Sequence, residues 1–546
     1  MKYKELTING NIIDVFNKKI ISGTLHIVNG IITKINETGK SANTFIIPGF
    51  IDAHVHIESS MLTPSEFARL AVRHGTIAAV SDPHEIANVL GKEGIRFMIR
   101  NGKKVPFKYY FGAPSCVPAT NYETSGARID LQDIEDLFLH DKLKYLSEVM
   151  NFPGVINGEK EIHGKISLAR KMGKRIDGHA PGLRGKKLQT YIYSGITTDH
   201  ECTSIEEAKE KINNGMKILI REGSAAKNFD DLIPLIKDHP EDLMLCSDDL
   251  HPDDLIRGHI NLLVRKSLHA GYDLFDILKI ASVVPVLHYD LDVGLLREGD
   301  HADFLVLDDL NEMIVRATYI NGIQVFRKNE TKIDHIREPV MNILNCKPLR
   351  LQDILVKGSK KKIKVIEAFD GQLFTRQIVA EMKLQDGYIN SDPDNDILKI
   401  ITYNRYQSSK PAVGFIKGFG LKRGAMASTV AHDSHNIIAV GVKDEEIVSV
   451  VNKLIELKGG IIVYDGRKFD EIQLGIAGLM TDKDGESIAK LYQKLNGKIK
   501  MLGSPLKAPF MTLSFMALLV IPELKICDKG LFDVTEFSPT SLFMSE

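Results

Sequence analysis

The 546-residue chain is too long for one ordinary domain, and at about 100 to 200 residues per domain it holds roughly three or four. Hydrophobic residues at 43% and charged residues at 26% match ordinary globular usage, which excludes wholesale disorder. With 70 Lys plus Arg against 71 Asp plus Glu, the net charge of −1 offers nothing to a polyanion, so neither nucleic acid nor an acidic membrane surface is expected as a partner.

Met1 to Glu5 leads into polar, strand-like sequence without a long apolar core, so no secretory signal is expected. Residues 1–46 then break into short β-branched runs punctuated by Asn29-Gly30, a hairpin signal, and predict a small β unit. From Phe45 the rhythm changes. Strand-like runs at Phe45 to Ile51, Thr76 to Val80, Tyr109 to Phe111, Tyr145 to Val149, Arg175 to His179, Thr197 to His200, Met216 to Ile220 and Leu243 to Ser247 alternate with helix-period stretches such as Pro64 to His74 and Pro252 to His269.

Roughly eight such runs in about 250 residues is the size of a (β/α)8 TIM-like barrel, here assigned to residues 47–292. An open dinucleotide-binding sheet is disfavoured because no run leads into G-x-G-x-x-G. Residues 293–328, with a second hairpin signal at Asn321-Gly322, repeat the style of the opening and predict one small β domain interrupted by the barrel. Residues 329–348 are charged and polar and read as a linker. Residues 349–546 mix strand runs (Val413 to Ile416, Ile437 to Val442, Gly460 to Tyr464) with helical ones (Glu445 to Leu457, Ser487 to Leu495), which predicts an additional C-terminal α/β domain. The most apolar run, Phe510 to Ile521, falls short of the ~20 residues of a membrane span and reads as a buried element. The five cysteines, Cys116, Cys202, Cys246, Cys346 and Cys527, form no C-x-x-C pair, which points to a reducing cytoplasm and excludes a zinc deaminase of the P-C-x-x-C type.

Chemistry concentrates at run ends. In Asp52-Ala53-His54-Val55-His56, alternate strand residues share a face, so His54 and His56 present both imidazoles to one point at the strand's C-terminal end, where barrel active sites lie. Glu148, His179, His200 and Asp248 close later runs in the same way. Six ligand-type residues at one end of a barrel predict a metal centre. Asp82, His84 and Glu85 follow another run; they read either as groups that orient ligands, contact substrate or hold a further metal, or as the polar start of the next helix. The string His432-Asp433-Ser434-His435-Asn436 reads either as a turn of cap-forming side chains or as a loop closing over the barrel mouth, contributing His432 or His435. His251, just past Asp248, is a candidate proton shuttle.

This ligand pattern resembles the amidohydrolase superfamily of metal-dependent hydrolases, whose small β-sandwich domain the flanking segments fit. The longer strings Ser81 to Val89, Gly178-His179-Ala180-Pro181-Gly182, Asp199-His200-Glu201, Cys246-Ser247-Asp248-Asp249 and Ala431 to Asn436 resemble the bacterial adenine deaminase family over nearly the whole chain. The resemblance implies a pair of divalent metals, Mn2+ or Fe2+ with Zn2+ possible. It assigns His54, His56 and Asp248 to one metal, His179 and His200 to the other, and Glu148 to both; Lys144 is the nearest lysine to the carboxylated-lysine position of other superfamily members. It implies hydrolysis of adenine to hypoxanthine and ammonia by metal-activated hydroxide, as in purine salvage, with Asp248 as general base and either Glu148 or Glu201 protonating the ring. Gly182 stands where cytosine deaminases of the superfamily carry a Glu, which argues against cytosine. The alternatives are another cyclic amidine or amide, such as guanine or a pterin, and a non-catalytic scaffold of the same fold. A homo-oligomer, as a dimer, is the expected assembly.

Overall fold

The Asn-Gly pairs form hairpins for a local reason. In the computed structural model, which describes residues 5–39, 42–358 and 362–544, Asn29 and Gly30 adopt φ of 52° and 83° between strands Lys19–Val28 and Ile31–Glu37. Asn321 and Gly322 adopt 49° and 70° between Ile314–Ile320 and Ile323–Arg327. Two successive left-handed residues are what a two-residue hairpin loop needs. The hairpin tips also approach each other, since a Cβ on Gly30 would lie 2.5 Å from the Asn321 carbonyl. Residues 1–4, on which most of the expectation of no leader rests, lie outside the described residues.

The two flanking segments join in one continuous eight-stranded sheet, in the order Glu330–Thr331, Ile323–Arg327, Ile314–Ile320, Phe304–Asp309, Phe45–Pro48, Glu5–Asp14, Lys19–Val28 and Ile31–Glu37. Phe45–Pro48 is the seam, parallel to Glu5–Asp14 on one side and antiparallel to Phe304–Asp309 on the other. Ile12, Leu25, Ile27, Phe304, Ala317 and Tyr319, from both segments, share one core.

Between these segments run eight parallel strands in three hydrogen-bonded groups: Phe50–Val55, Thr76–Ser81 and Lys108–Phe111; Tyr145–Val149 and Arg175–Gly178; Thr198–Asp199, Lys217–Arg221 and Leu243–Cys246. Isolated bridges from Ala113 to Leu146 and from Val55 to Asp248 link neighbouring groups. The sheet is thus less continuous than a single eight-stranded ladder, because Thr198–Asp199 is only two residues long and the pairing shifts register between Asp52 and Val55. Helices including Pro64–Ala71, His84–Gly102, Lys160–Lys171 and Ile205–Asn213 separate the strands. Phe50–Val55, Thr76–Ser81 and Leu243–Cys246 are buried at every position, Asp52 and His54 of the first included.

In the C-terminal part an eight-stranded sheet runs Thr375–Glu381, Lys362–Ala368, Ala412–Lys417, Leu398–Tyr403, Ile437–Gly441, Ala425–Ser428, Gly460–Tyr464 and Phe469–Gln473. Only the Lys362–Ala368 and Ala412–Lys417 pair is parallel, so the mixed strand and helix runs here build a mainly antiparallel sheet. Helix Asp444–Leu457 lays Ile447, Val450, Val451 and Leu454 on it. The apolar run after Ala508 forms helix Pro509–Phe515 and a buried continuation. Among the described residues no helix is long and apolar enough to cross a membrane.

Candidate metal centre and active site

Glu148, at the end of Tyr145–Val149, stands between two histidine pairs. Its Oε1 lies 3.3 Å from His56 Nε2 and 4.0 Å from His54 Nε2, and its Oε2 lies 3.0 Å from His179 Nδ1 and 3.3 Å from His200 Nε2. Asp248 Oδ1 lies 3.4 Å from His54 Nε2 and 3.2 Å from His56 Nε2. Backbone pairing sets this meeting. Asp248 N–H donates to the His54 carbonyl at 2.9 Å and His56 N–H to the Asp248 carbonyl at 3.3 Å, with Asp248 itself in the left-handed region at φ 54°. The six residues expected at run ends therefore converge, and all are buried.

The donor set suits a cation. His54 Nε2 and His179 Nε2 are buried and make no hydrogen bond. Buried imidazole nitrogens without partners are costly unless a ligand meets their lone pairs. Ligand atoms of His54, His56 and Asp248, of His54, Glu148 and His200, of His179, His200 and Glu201, and of His56, Asp82, His84 and Glu148 lie within 4.8 Å of one another in each group. Imidazole and carboxylate without thiolate fit a borderline divalent metal. Burial alone would raise the carboxyls of Glu148 and Asp248. His179, His200 and His56 instead hold Glu148 well below the usual range, and Arg221 with His54 and His56 does the same for Asp248.

Arg221, which sequence reasoning missed, ends strand Lys217–Arg221 and ties the acids together. Its Nη1 donates to Glu201 Oε1 at 2.5 Å and to Asp248 Oδ2 at 2.6 Å, while Nη2 donates to Glu201 Oε2 at 3.0 Å. Against the upward push of burial, Arg221 keeps the Glu201 carboxyl far below its ordinary value. An arginine closing a buried apolar run was the available signal. Asp52 supports the centre from behind: it accepts from Ser247 N at 3.0 Å, from the Ser247 hydroxyl, and from His259 Nε2 at 2.8 Å.

A helix does start at the Asp82 cluster, with Pro83 rather than Ser81 or Asp82 at its cap position. Asp82 Oδ1 accepts from His84 N at 3.1 Å at the start of helix His84–Gly102, and its Oδ2 lies 3.1 Å from His84 Nδ1, itself 3.5 Å from Glu148 Oε1. Glu85 accepts short hydrogen bonds from the imidazoles of His432 and His435, so the distant loop does reach the barrel mouth. Burial alone would lower His432, but Glu85 and Asp249 lift it to about 9. The His432 ring stacks on Phe515 at 4.6 Å and 12°. His251 turns elsewhere. Its Nδ1 lies 2.5 Å from the Tyr492 hydroxyl on helix Gly485–Met501, and burial lowers it to about 4.

Parallel strands separated by helices, with buried histidines and acids gathered at their C-terminal ends, define a TIM-barrel-like metal hydrolase. Residues 45–325 match the amidohydrolase family, and residues 372–538 match the adenine deaminase C-terminal domain. The adenine deaminase of Salinibacter ruber is 50% identical over 541 residues, covering 98% of this chain and 99% of that protein. The adenine deaminase of Methanosarcina mazei is 50% identical over 551 residues, covering 98% and 99%. A crystal structure of the β-aspartyl dipeptidase of Fervidobacterium islandicum AW-1 aligns at 14% identity and TM-score 0.46, over 61% of this chain and 98% of that one. The chain belongs to the adenine deaminase family.

Proposed function

We propose that this chain hydrolyses adenine to hypoxanthine and ammonia. The observation that carries the reading is Glu148, with one carboxylate oxygen toward His54 and His56 and the other toward His179 and His200, in a chain half identical to adenine deaminases along its whole length. On this reading the eight parallel strands close into a (β/α)8 barrel over residues 47–292, the sheet from residues 1–46 and 293–328 flanks it, residues 329–348 link, and 349–546 form the third domain. His54, His56 and Asp248 hold one divalent metal, His179 and His200 a second, and Glu148 serves both; Mn2+ or Fe2+ fits this donor set. Metals held there supply Lewis acidity and make water a stronger acid.

The chain's own groups handle the protons. Asp248, kept ionised by Arg221, accepts a proton as water oxygen bonds to C6 of the purine, and passes it to the exocyclic nitrogen as the C6–N bond breaks. Glu201, locked to the same arginine, is an acceptor rather than a standing acid, so the proton it passes to the ring nitrogen is first taken up from solvent, and the C6 hydroxyl returns one proton as the carbonyl forms. Asp82 and Asp52 orient histidines and strand ends. Five free, buried cysteines fit work in the cytoplasm, and a dimer is the assembly to test.

The experiment is a panel of free bases (adenine, guanine, cytosine) and a pterin, given to the metal-reconstituted protein with ammonia and product both measured. Adenine turnover giving equal hypoxanthine and ammonia is expected. Brisk turnover of another ring with none of adenine refutes the substrate, and no turnover of any ring refutes the activity.

A further inference from the structure

Lys525, on strand Leu524–Cys527, is 0% exposed, and no carboxylate accompanies it among the described residues. Burial alone lowers its ammonium to about 7. A lysine enclosed without a counter-charge is expensive, and an apolar side chain of similar length would pack there at lower cost. Its two acceptors are backbone carbonyls: Leu373 O at 2.7 Å and Phe515 O at 3.0 Å.

Those carbonyls belong to two of the places where the C-terminal part faces the metal centre, the loop of His432 and Asp433 being another. Leu373 lies in the loop 369–374 that joins strands Lys362–Ala368 and Thr375–Glu381, and Gly371 of that loop accepts from Ala226 N–H of the barrel at 3.3 Å. Phe515 ends helix Pro509–Phe515, where carbonyls lack helical partners and a cation is favoured. The side chains of Leu373, Phe515 and Leu518 border a cavity of about 30 Å³ whose other walls include His56, Glu148 and Asp248. Ligand sites typically span ~300 Å³ or more. A planar ring seated between the acids and this apolar wall lies against the wall, so whatever holds the wall sets how firmly a ring is gripped.

We propose that Lys525 is a positioning residue for substrate, tying Leu373 and Phe515 into a wall that closes on the ring face of the bound base. This rests on the adenine reading for the class of substrate, a planar heteroaromatic ring. The ammonium couples two segments that are otherwise separate in sequence, so loop and helix end move as one. The role differs from chemistry at the metals: it governs how tightly the ring is held, while the ligands and Asp248 govern turnover.

The test is kcat and KM for adenine on the metal-loaded full chain. Lys525→Met keeps the packed stem and loses both hydrogen bonds; KM is expected to rise about tenfold or more with kcat within about threefold, since both carbonyls lose the donor that joins them. Phe515→Leu should raise KM in the same direction, and the two changes combined should raise it less than their product, because they act on one wall. An unchanged KM in Lys525→Met, or a fall in kcat alone that tracks lost folded protein, overturns the proposal. Should Lys525→Met not fold, Lys525→Gln takes its place with the same expected rise, and an unchanged KM for it or for Phe515→Leu overturns the proposal equally. Failure of the unaltered protein to deaminate adenine would instead strike the substrate reading, which separates the two outcomes.

Discussion

Glu85→Gln tests the contact between the barrel and the distant loop, because Glu85 is the acceptor shared by His432 and His435. Glu85 is the group that keeps His432 charged: burial favours the neutral ring, yet Glu85 and Asp249 lift it to about 9, against about 6.5 for an ordinary histidine. The folded value is raised, so the stability it contributes is fully present below pH ~6.5 and is lost as pH rises through about 9. Between those limits the shift is worth on the order of 3 kcal/mol, or about two orders of magnitude in the opening equilibrium of the loop. The glutamine side chain cannot stabilise the charged ring, so the variant loop should open more readily at pH 6 and no more readily at pH 10. Hydrogen exchange of peptides spanning residues 430–436, corrected for intrinsic rate and run with metal held constant, measures this directly. Protection in the unaltered chain should exceed that in Glu85→Gln by up to about 100-fold at pH 6, Asp249 keeping its share of the shift, with the gap closing above pH 9. A gap that stays constant from pH 6 to 10 would refute the reasoning.

Asp248→Asn removes the proton acceptor and should lower kcat by at least about 100-fold while circular dichroism stays unchanged; near-normal turnover would overturn its role. Asp52→Asn loosens the grip on Ser247 and His259 behind the centre, and metal affinity measured by competition with a chelator should weaken by about 10- to 100-fold. Equal affinity would show that Asp52 does not orient the site.

The residues that converge around Glu148 were legible because the rule that places them is local. A strand alternates its side chains, and a barrel puts strand ends on one face, so His54, His56, Glu148, His179, His200 and Asp248 announce themselves by where their runs stop. The hairpins at Asn29-Gly30 and Asn321-Gly322 were legible for the same reason, since the backbone angles they require belong to two adjacent residues. Arg221 was passed over because an arginine after an apolar run carries no local mark of its partners, Glu201 and Asp248. Leu373, Phe515 and Lys525 gave no signal at all; apolar side chains and a lysine in strand sequence look alike wherever they pack.

By itself, then, the sequence determined the strands, their turns, and the six buried side chains that meet at the ends of their runs, because each depends on dihedral preferences and a period of two. Tertiary structure alone decided that Phe45–Pro48 stitches two remote segments into one sheet, that Glu148 divides its oxygens between two histidine pairs, and that His432 crosses 347 positions to meet Glu85. Periodicity says which face a side chain takes but not which neighbour waits there; that choice is made by packing and by the need of every buried charge and polar group for a partner.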